Sequence, residues 1–228
     1  MIAADIAVDA GQAVIAAIQD EGGCGLFVET DLTSDESVSA AARAAAAHFG
    51  NVHILFNCAG GSLPDDGPVT EVEPEVWERT MNLDVRGTML ACRHVIPLLI
   101  AAGGGSVVNM SSGSALRGSN SAHVYTAAKG AIVSLTRTLA GTYARYRVRA
   151  NAICAGRVNT ERVRTTYGLP GRPGSAHDPM RVDEQVLTYP FWLGEPEDIA
   201  NIALFLAGEE SRMITGASIP ADGGRSAY

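Results

Sequence analysis

Lysine is scarce in this 228-residue chain, and its arginines are scattered rather than clustered. With a net charge of -8 and a pI near 5.1, no basic face is available to a phosphate backbone, which argues against nucleic acid as a partner. Charged residues are also few, at 18% against 46% hydrophobic, so the chain can bury a sizeable core and is not expected to be disordered. No CxxC pair occurs: Cys24, Cys58, Cys92 and Cys154 lie far apart, as in a reducing compartment that keeps thiols free. No HExxH or similar ligand pair is found among five histidines, so no metal is expected. Long apolar runs are missing too. The longest stretch, Thr88 to Ala102, holds Arg93 and His94, so no membrane span is expected. The opening MIAADIAVDAGQ has two acids and no base, unlike a signal or transit peptide. A cytoplasmic location is the resulting expectation.

What is present is an alternation of short apolar runs with longer helical ones, the pattern of a parallel sheet wrapped by helices. Strands are expected at Ile2–Ile6, Gly25–Glu29, His53–Asn57, Gly105–Met110, Val148–Ile153 and Ala217–Ile219. Most are continuous apolar or β-branched runs, as in strands covered on both faces. Helices are expected at Gly11–Glu21, ended by Gly22-Gly23, and from a Ser34 or Asp35 cap to Phe49, ended by Gly50. A longer one starts at Pro74 and runs to about Ala102 with a break near Pro97. Two more cover Ala122–Tyr143 and Pro196–Gly208. The length suits one α/β domain over residues 1–228. The stretch Thr160 to Gly194 is rich in Gly, Pro, Arg and Tyr and reads as a functional loop.

Tyr125 and Lys129 stand four apart on an expected helix, so both emerge on one face. A tyrosine hydroxyl is ordinarily a poor base at neutral pH, and an ammonium beside it favours the phenolate. Alone, such a pair is more simply an exposed helical contact. The flanks alter that reading. The run Gly104-Gly105-Ser106-Val107-Val108-Asn109-Met110-Ser111-Ser112 is a strand ending in paired serines, thirteen residues before Tyr125. Ser112 thus falls at the carboxyl end of a parallel strand, where open α/β sheets bind ligands; a turn-forming serine is the plainer alternative. Asn57-Cys58-Ala59-Gly60 closes another apolar strand with small residues, against which a flat molecule can lie. Asn82, a mediocre helix former inside a long helix, is either solvent-facing or there for a reason.

Together these residues resemble the short-chain dehydrogenase/reductase family over almost the whole chain. The family's NNAG element matches Asn57-Cys58-Ala59-Gly60, its helix asparagine Asn82, its serine Ser112, and its YxxxK Tyr125 and Lys129. The segment after its sixth strand matches Asn151-Ala152-Ile153-Cys154-Ala155-Gly156-Arg157-Val158-Asn159-Thr160. Pro196-Glu197-Asp198-Ile199-Ala200 and the run from Thr215-Gly216 to Asp222-Gly223-Gly224 also fit. The resemblance implies a doubly wound parallel sheet of Rossmann type in three α/β/α layers, and hydride transfer between NAD(H) and a secondary alcohol or ketone. It implies Tyr125 as general acid/base, Ser112 orienting the substrate oxygen, Lys129 favouring the phenolate and binding the nicotinamide ribose, and Asn82 anchoring a water that links Lys129 to solvent. Asn57, Ala59, Gly60, Gly156, Val158 and Thr160 are the further cofactor-binding candidates. Cys58 and Ala155 stand where the family usually has asparagine and proline, changes that leave the chemistry in place.

Asp5 ends the first expected strand, and an acid at the end of the second strand of a dinucleotide fold accepts hydrogen bonds from the adenosine ribose and repels a 2′-phosphate. No arginine follows it, which favours NAD over NADP, although a capping aspartate is a plain alternative. Asp31 with Leu32 resembles the pair that contacts adenine. A strand–turn–helix with a glycine-rich phosphate loop is expected before Asp5 and is absent. Gly22-Gly23-Cys24-Gly25 and Gly103-Gly104-Gly105 run from helix to strand, the wrong order. The expectation is therefore an N-terminally truncated fold, with two sheet fragments and unpaired inner edges.

The loop 160–194 is expected to cover the substrate. Tyr167, Leu169, Met180, Tyr189, Phe191 and Trp192 would line the pocket, and Arg162, Arg164 or Arg172 could meet a carboxylate. A homotetramer or homodimer is implied, through the two long helices and the C-terminal segment from Ile219 to Tyr228. The competing function is a cofactor-impaired member acting as a binding or oligomerising protein. An enoyl reductase of the related type uses a longer Tyr-to-Lys spacing. A carrier-protein ketoreductase would favour NADP and a basic docking face.

Overall fold

The computed structural model describes residues 1–118, 120–167 and 190–227, with side chains omitted for 166 and 167. In chain order the strands and longer helices are β1 Ile2–Asp5, α1 Val8–Asp20, β2 Leu26–Glu29, α2 Asp35–Phe49, β3 Ile54–Asn57 and α3 Pro74–Thr80. After a π-helical turn, Met81–Arg86, follow α4 Gly87–Ala101, β4 Gly105–Ser112, α5 His123–Tyr143, β5 Val148–Ala155, β6 Arg157–Val158, α6 Glu161–Tyr167, β7 Leu193–Gly194, α7 Pro196–Ala207 and β8 Ser218–Ala221. Among the described residues every strand pair is parallel.

The core is the sheet β3-β4-β5-β8. Strand β4 pairs with β5 along its whole length, from Gly105 opposite Val148 to Ser112 opposite Ala155. Successive side chains of a strand point to opposite faces, and Val107 and Val108 divide accordingly. Val107 packs with Ile96 and Leu99 of α4 and Leu139 of α5. Val108 packs with Ile153 and with Leu206 of α7. That division makes three layers, helix–sheet–helix, as the apolar runs led one to expect. Leu99 is fully buried, and burial of such a side chain contributes roughly 2 kcal/mol.

Strands β1 and β2 form a separate two-stranded sheet. Helix α1 lies so close over it that a Cβ on Gly11 would meet the Phe27 ring at 2.0 Å. Leu32 and Val38 join Leu90 and Ala91 of α4 in one cluster and tie this unit to the core. Among the described residues no strand hydrogen-bonds β1 to β3. The side chains of Ile54 and Phe56 on β3 are 50% and 41% exposed.

Several element boundaries differ from expectation, each for a local reason. Helix α1 starts at Val8, ahead of Gly11. Strands β4 and β5 run on to Ser112 and Ala155 because they pair with each other that far. The break expected near Pro97 is corrected. Proline removes only one helix hydrogen bond, and its buried neighbours Ile96 and Leu99 hold α4 on the sheet. The irregularity falls at Met81–Arg86 instead. The loop expected from Thr160 is helical at its start, where Thr160 Oγ1 accepts the Val163 N–H at 3.2 Å and caps α6. Its two ends are drawn together by the β6–β7 pairing, Arg157 opposite Leu193.

Candidate active site

Strand β4 and helix α5 carry the central residues. Ser111 Oγ donates to the Lys129 carbonyl at 2.8 Å, which fixes α5 against the end of β4. The first turn of α5 has no side-chain cap of its own. Asp66, arriving from the loop after β3, supplies one: its carboxylate accepts the N–H of Val124 at 3.1 Å and of Tyr125 at 2.7 Å. A carboxylate at a helix N-terminus is favoured by the helix dipole, and here it locks the backbone of Tyr125. Ser112 and Tyr125 then line one cavity of about 150 Å³ with Gly61, Ser62, Asn120, Gly156, Val158 and Arg162. Ser112 Oγ accepts the Ser114 N–H at 3.1 Å and keeps its own proton for a ligand.

Lys129 is buried, with Nζ 5.6 Å from the centroid of the Tyr125 ring. It donates to the Met110 carbonyl at 3.3 Å and lies 2.9 Å from Asp84 Oδ2. The residue of the π-helical turn that meets Lys129 is Asp84. Asn82 Oδ1 accepts a hydrogen bond from the Arg86 guanidinium at 3.1 Å, on another side of the helix. The signal was available in helical spacing. Val76, Thr80, Asp84 and Thr88 are four apart and all buried, whereas Asn82 falls off that stripe.

The loop after β3 passes over this pair. Gly60 and Gly61 have φ of +121° and +149°, and a Cβ on Gly60 would stand 2.5 Å from Asp84 Oδ1. Asp84 accepts the Gly61 N–H at 3.2 Å. Arg162 donates to the Gly60 and Ser62 carbonyls from the cavity side, so it clamps the loop. Asn57 turns inward, donating to Asn109 Oδ1 at 2.8 Å and toward the Cys92 thiol at 3.5 Å. Burial pushes the Cys92 thiol up to about 12, against the opposing pull of that Asn57 contact. Burial also raises the Cys58 thiol, which the Lys129 charge partly offsets.

The remaining candidates are spread between the two sheets. Asp5 stands exposed at the end of β1, with Oδ1 accepting the Ala7 N–H at 2.9 Å. Asp31 accepts from the Thr33 hydroxyl at 2.7 Å and its N–H at 2.8 Å, and those bonds hold its carboxyl below the usual range. It closes a turn, while Leu32 beside it joins the α2–α4 cluster. Gly156 has no room for a side chain, since a Cβ would meet Asp222 Cα at 2.6 Å. Phe191 lines a second cavity with Leu193, Ile199 and Pro220 rather than the one holding Tyr125. Arg164 is turned to Asn159 at 3.0 Å. The Tyr167 side chain, Leu169, Arg172, Met180 and Tyr189 lie outside the described residues. Among those described, no group of His, Cys, Asp and Glu could hold a metal, and no helix is long and apolar enough to cross a membrane.

A parallel α/β sheet with a serine, tyrosine and lysine gathered at the carboxyl ends of its strands defines an oxidoreductase of the Rossmann class. The chain belongs to the short-chain dehydrogenase/reductase family. The family model described as enoyl-(acyl carrier protein) reductase matches residues 1–226. Trans-4-hydroxycyclohexanecarboxylate dehydrogenase from Sinomonas cyclohexanicum is 34% identical, with 100% of this chain and 83% of that protein aligned. Among solved structures, 7α-hydroxysteroid dehydrogenase complexed with NADH and 7-oxo glycochenodeoxycholic acid is 28% identical with a TM-score of 0.85, over 98% of this chain and 83% of that one. A gluconate 5-dehydrogenase from Burkholderia cenocepacia in complex with NADP and tartrate is 25% identical with a TM-score of 0.86, over 100% and 85%. These relatives are dehydrogenases, and the family works with nicotinamide cofactors on alcohol and ketone substrates.

Proposed function

We propose that this protein interconverts a secondary alcohol and a ketone with NAD, using Tyr125 as general acid/base. The observation that carries the reading is the shared cavity of Ser112 and Tyr125, with the Lys129 ammonium 5.6 Å from the tyrosine ring. Ser112 holds the substrate oxygen by its free hydroxyl proton. Tyr125 takes the alcohol proton in oxidation and returns it in reduction. Lys129 sets a cation 5.6 Å from the tyrosine ring and has a third N–H for a ribose hydroxyl. Bound NAD supplies the hydride acceptor.

The residues fit that cofactor over part of its length. The side-chain-free wall at Gly156 and the open backbone at Gly60 suit a flat ring, and Lys129 and Asp5 suit the two riboses. Asp5 supports NAD over NADP, because a carboxylate at the end of β1 repels a 2′-phosphate. For the pyrophosphate, this reading needs a glycine-rich turn at a helix N-terminus. The competing reading is a cofactor-impaired member that binds or assembles without catalysis. Fluorescence titration with NADH separates the two, since no binding up to millimolar concentration abolishes the enzymatic case. If NADH binds, Tyr125→Phe should cut turnover by at least ~100-fold and leave that affinity unchanged.

The substrate class proposed is a hydrophobic or cyclic alcohol, a reading supported by the hydroxycyclohexanecarboxylate dehydrogenase among the relatives. A screen of ring and open-chain secondary alcohols tests it. Assembly as a homotetramer or homodimer is supported by Trp77 and Met89, exposed on α3 and α4. Light scattering that returns a monomer mass counts against it.

A further inference from the structure

We infer that Arg162 is a carboxylate-binding residue of the cavity that holds Ser112 and Tyr125, so that the substrate is a small hydroxy acid or the matching oxo acid. The proposal rests on the reading of that cavity as the place where an alcohol or ketone reacts, and deepens it. Arg162 lies on α6 and lines the cavity with Ser112 and Tyr125. Ala122, Val158 and Val163 give the wall its apolar part. A cavity of about 150 Å³ has room for about one six-membered ring.

The bonds that Arg162 makes do not use its charge. Nη1 donates to the Gly60 carbonyl at 3.4 Å, and Nη2 donates to the Ser62 carbonyl. Both acceptors are neutral. A guanidinium carries five N–H groups in a rigid fork, so three remain for a ligand. Gly61 makes room for the head group, since a Cβ there would stand 2.4 Å from Arg162 Nη1. Among the described residues no carboxylate lies within ion-pair distance of Arg162.

Carboxylates of the adjoining segments are committed elsewhere. Asp66 accepts the N–H groups of Val124 and Tyr125. Asp84, under the loop, faces Lys129. Asp222 accepts the N–H groups of Gly224 and Ser226. Arg164, two residues along α6, is turned to Asn159, which leaves Arg162 as the arginine of this helix that meets the cavity. A chain of net charge -8 repels anions over most of its surface, so an unmatched cation at the reaction cavity selects an anion there. A carboxylate fits it best. Its two oxygens take parallel N–H bonds from one guanidinium, shorter and stronger than neutral ones. One guanidinium also balances its single charge, whereas a phosphate monoester carries about two.

Cyclohexanecarboxylate and cyclohexanecarboxamide, alike in shape and different in charge, test the proposal when their affinities are compared by ligand-observed NMR without NAD. The acid should bind the wild type at least ~10-fold more tightly than the amide. In Arg162→Gln, whose side chain still donates to a loop carbonyl, the ratio should fall to about one. Arg162→Lys, which keeps the charge without the fork, should retain part of it, and Arg164→Gln should leave it unchanged. Equal affinities in the wild type, no binding of the acid at ~10 mM, or a preference that survives Arg162→Gln overturns the proposal, as does an equal loss in Arg164→Gln. If Arg162→Gln does not fold, Arg162→Met is read in its place. Neither turnover nor NADH binding is measured, so a failed test leaves the Tyr125 chemistry standing, and failure of that chemistry leaves the test intact.

Discussion

Replacing Asn109 by leucine should destabilise the protein far more than its unremarkable size suggests. Asn109 lies on β4 with no exposed surface. Its Oδ1 accepts from Asn57 at 2.8 Å, and its Nδ2 donates to Thr136 Oγ1 at 2.9 Å. Thr136 in turn donates to the Ile132 carbonyl at 2.7 Å. A polar chain thus links β3, β4 and α5 inside the core. Leucine fills nearly the same volume but deletes both amide bonds, each contributing about 1 kcal/mol net. It also leaves the Asn57 amide with only the weak Cys92 thiol contact at 3.5 Å, and an unsatisfied buried donor costs about 1–3 kcal/mol more. The total is about 3–5 kcal/mol. Urea denaturation followed by tryptophan fluorescence measures it, and for a chain of this size the loss corresponds to a Tm lower by roughly 6–20 °C. Thr136→Val strands the Asn109 amide alone, so in Asn109→Leu/Thr136→Val that penalty disappears. The double variant should then be about 1 kcal/mol less damaged than the two singles added. A cost below about 1 kcal/mol for Asn109→Leu, or strict additivity, would refute the view that this chain acts as a unit.

Alkaline pH offers a second test. Because burial raises the Cys92 thiol from its ordinary 9.0 to about 12, the unfolded chain ionises first. The contribution to stability is intact below pH 9 and is lost between there and about 12, at roughly 1.4 kcal/mol per pH unit. Denaturation at pH 8 and pH 10.5 should show a decline that is shallower in Cys92→Ala; parallel declines would contradict it. At Gly60, alanine must adopt a φ of +121° and place its Cβ 2.5 Å from Asp84. Gly60→Ala should cost about 1–3 kcal/mol of stability by urea denaturation.

The parts legible in the sequence are those that local pattern controls. Continuous apolar runs require both faces of a strand to be covered, which identified the six principal strands and the layered class. Ser112, Tyr125 and Lys129 were readable because one strand end and one helix turn carry them, so spacing along the chain maps onto spacing in the molecule. Tertiary structure decided the rest. Helical phase across the π turn brings Asp84 to Lys129, since the residue facing inward depends on the buried stripe from Val76 to Thr88. Asp66 is not adjacent in sequence to the helix it caps, and only the path of the loop brings it to Tyr125. Asn57, with the polarity of a cofactor ligand, spends its amide on Asn109 because that buried acceptor requires a donor. Phe191 has the apolar character of a pocket residue, yet the β6–β7 pairing carries its segment to a different cavity. Residue type and local spacing determined which polar side chains gather at the strand ends. Which other side chains hold them in place depended on burial and hydrogen-bond demand across elements far apart in the sequence.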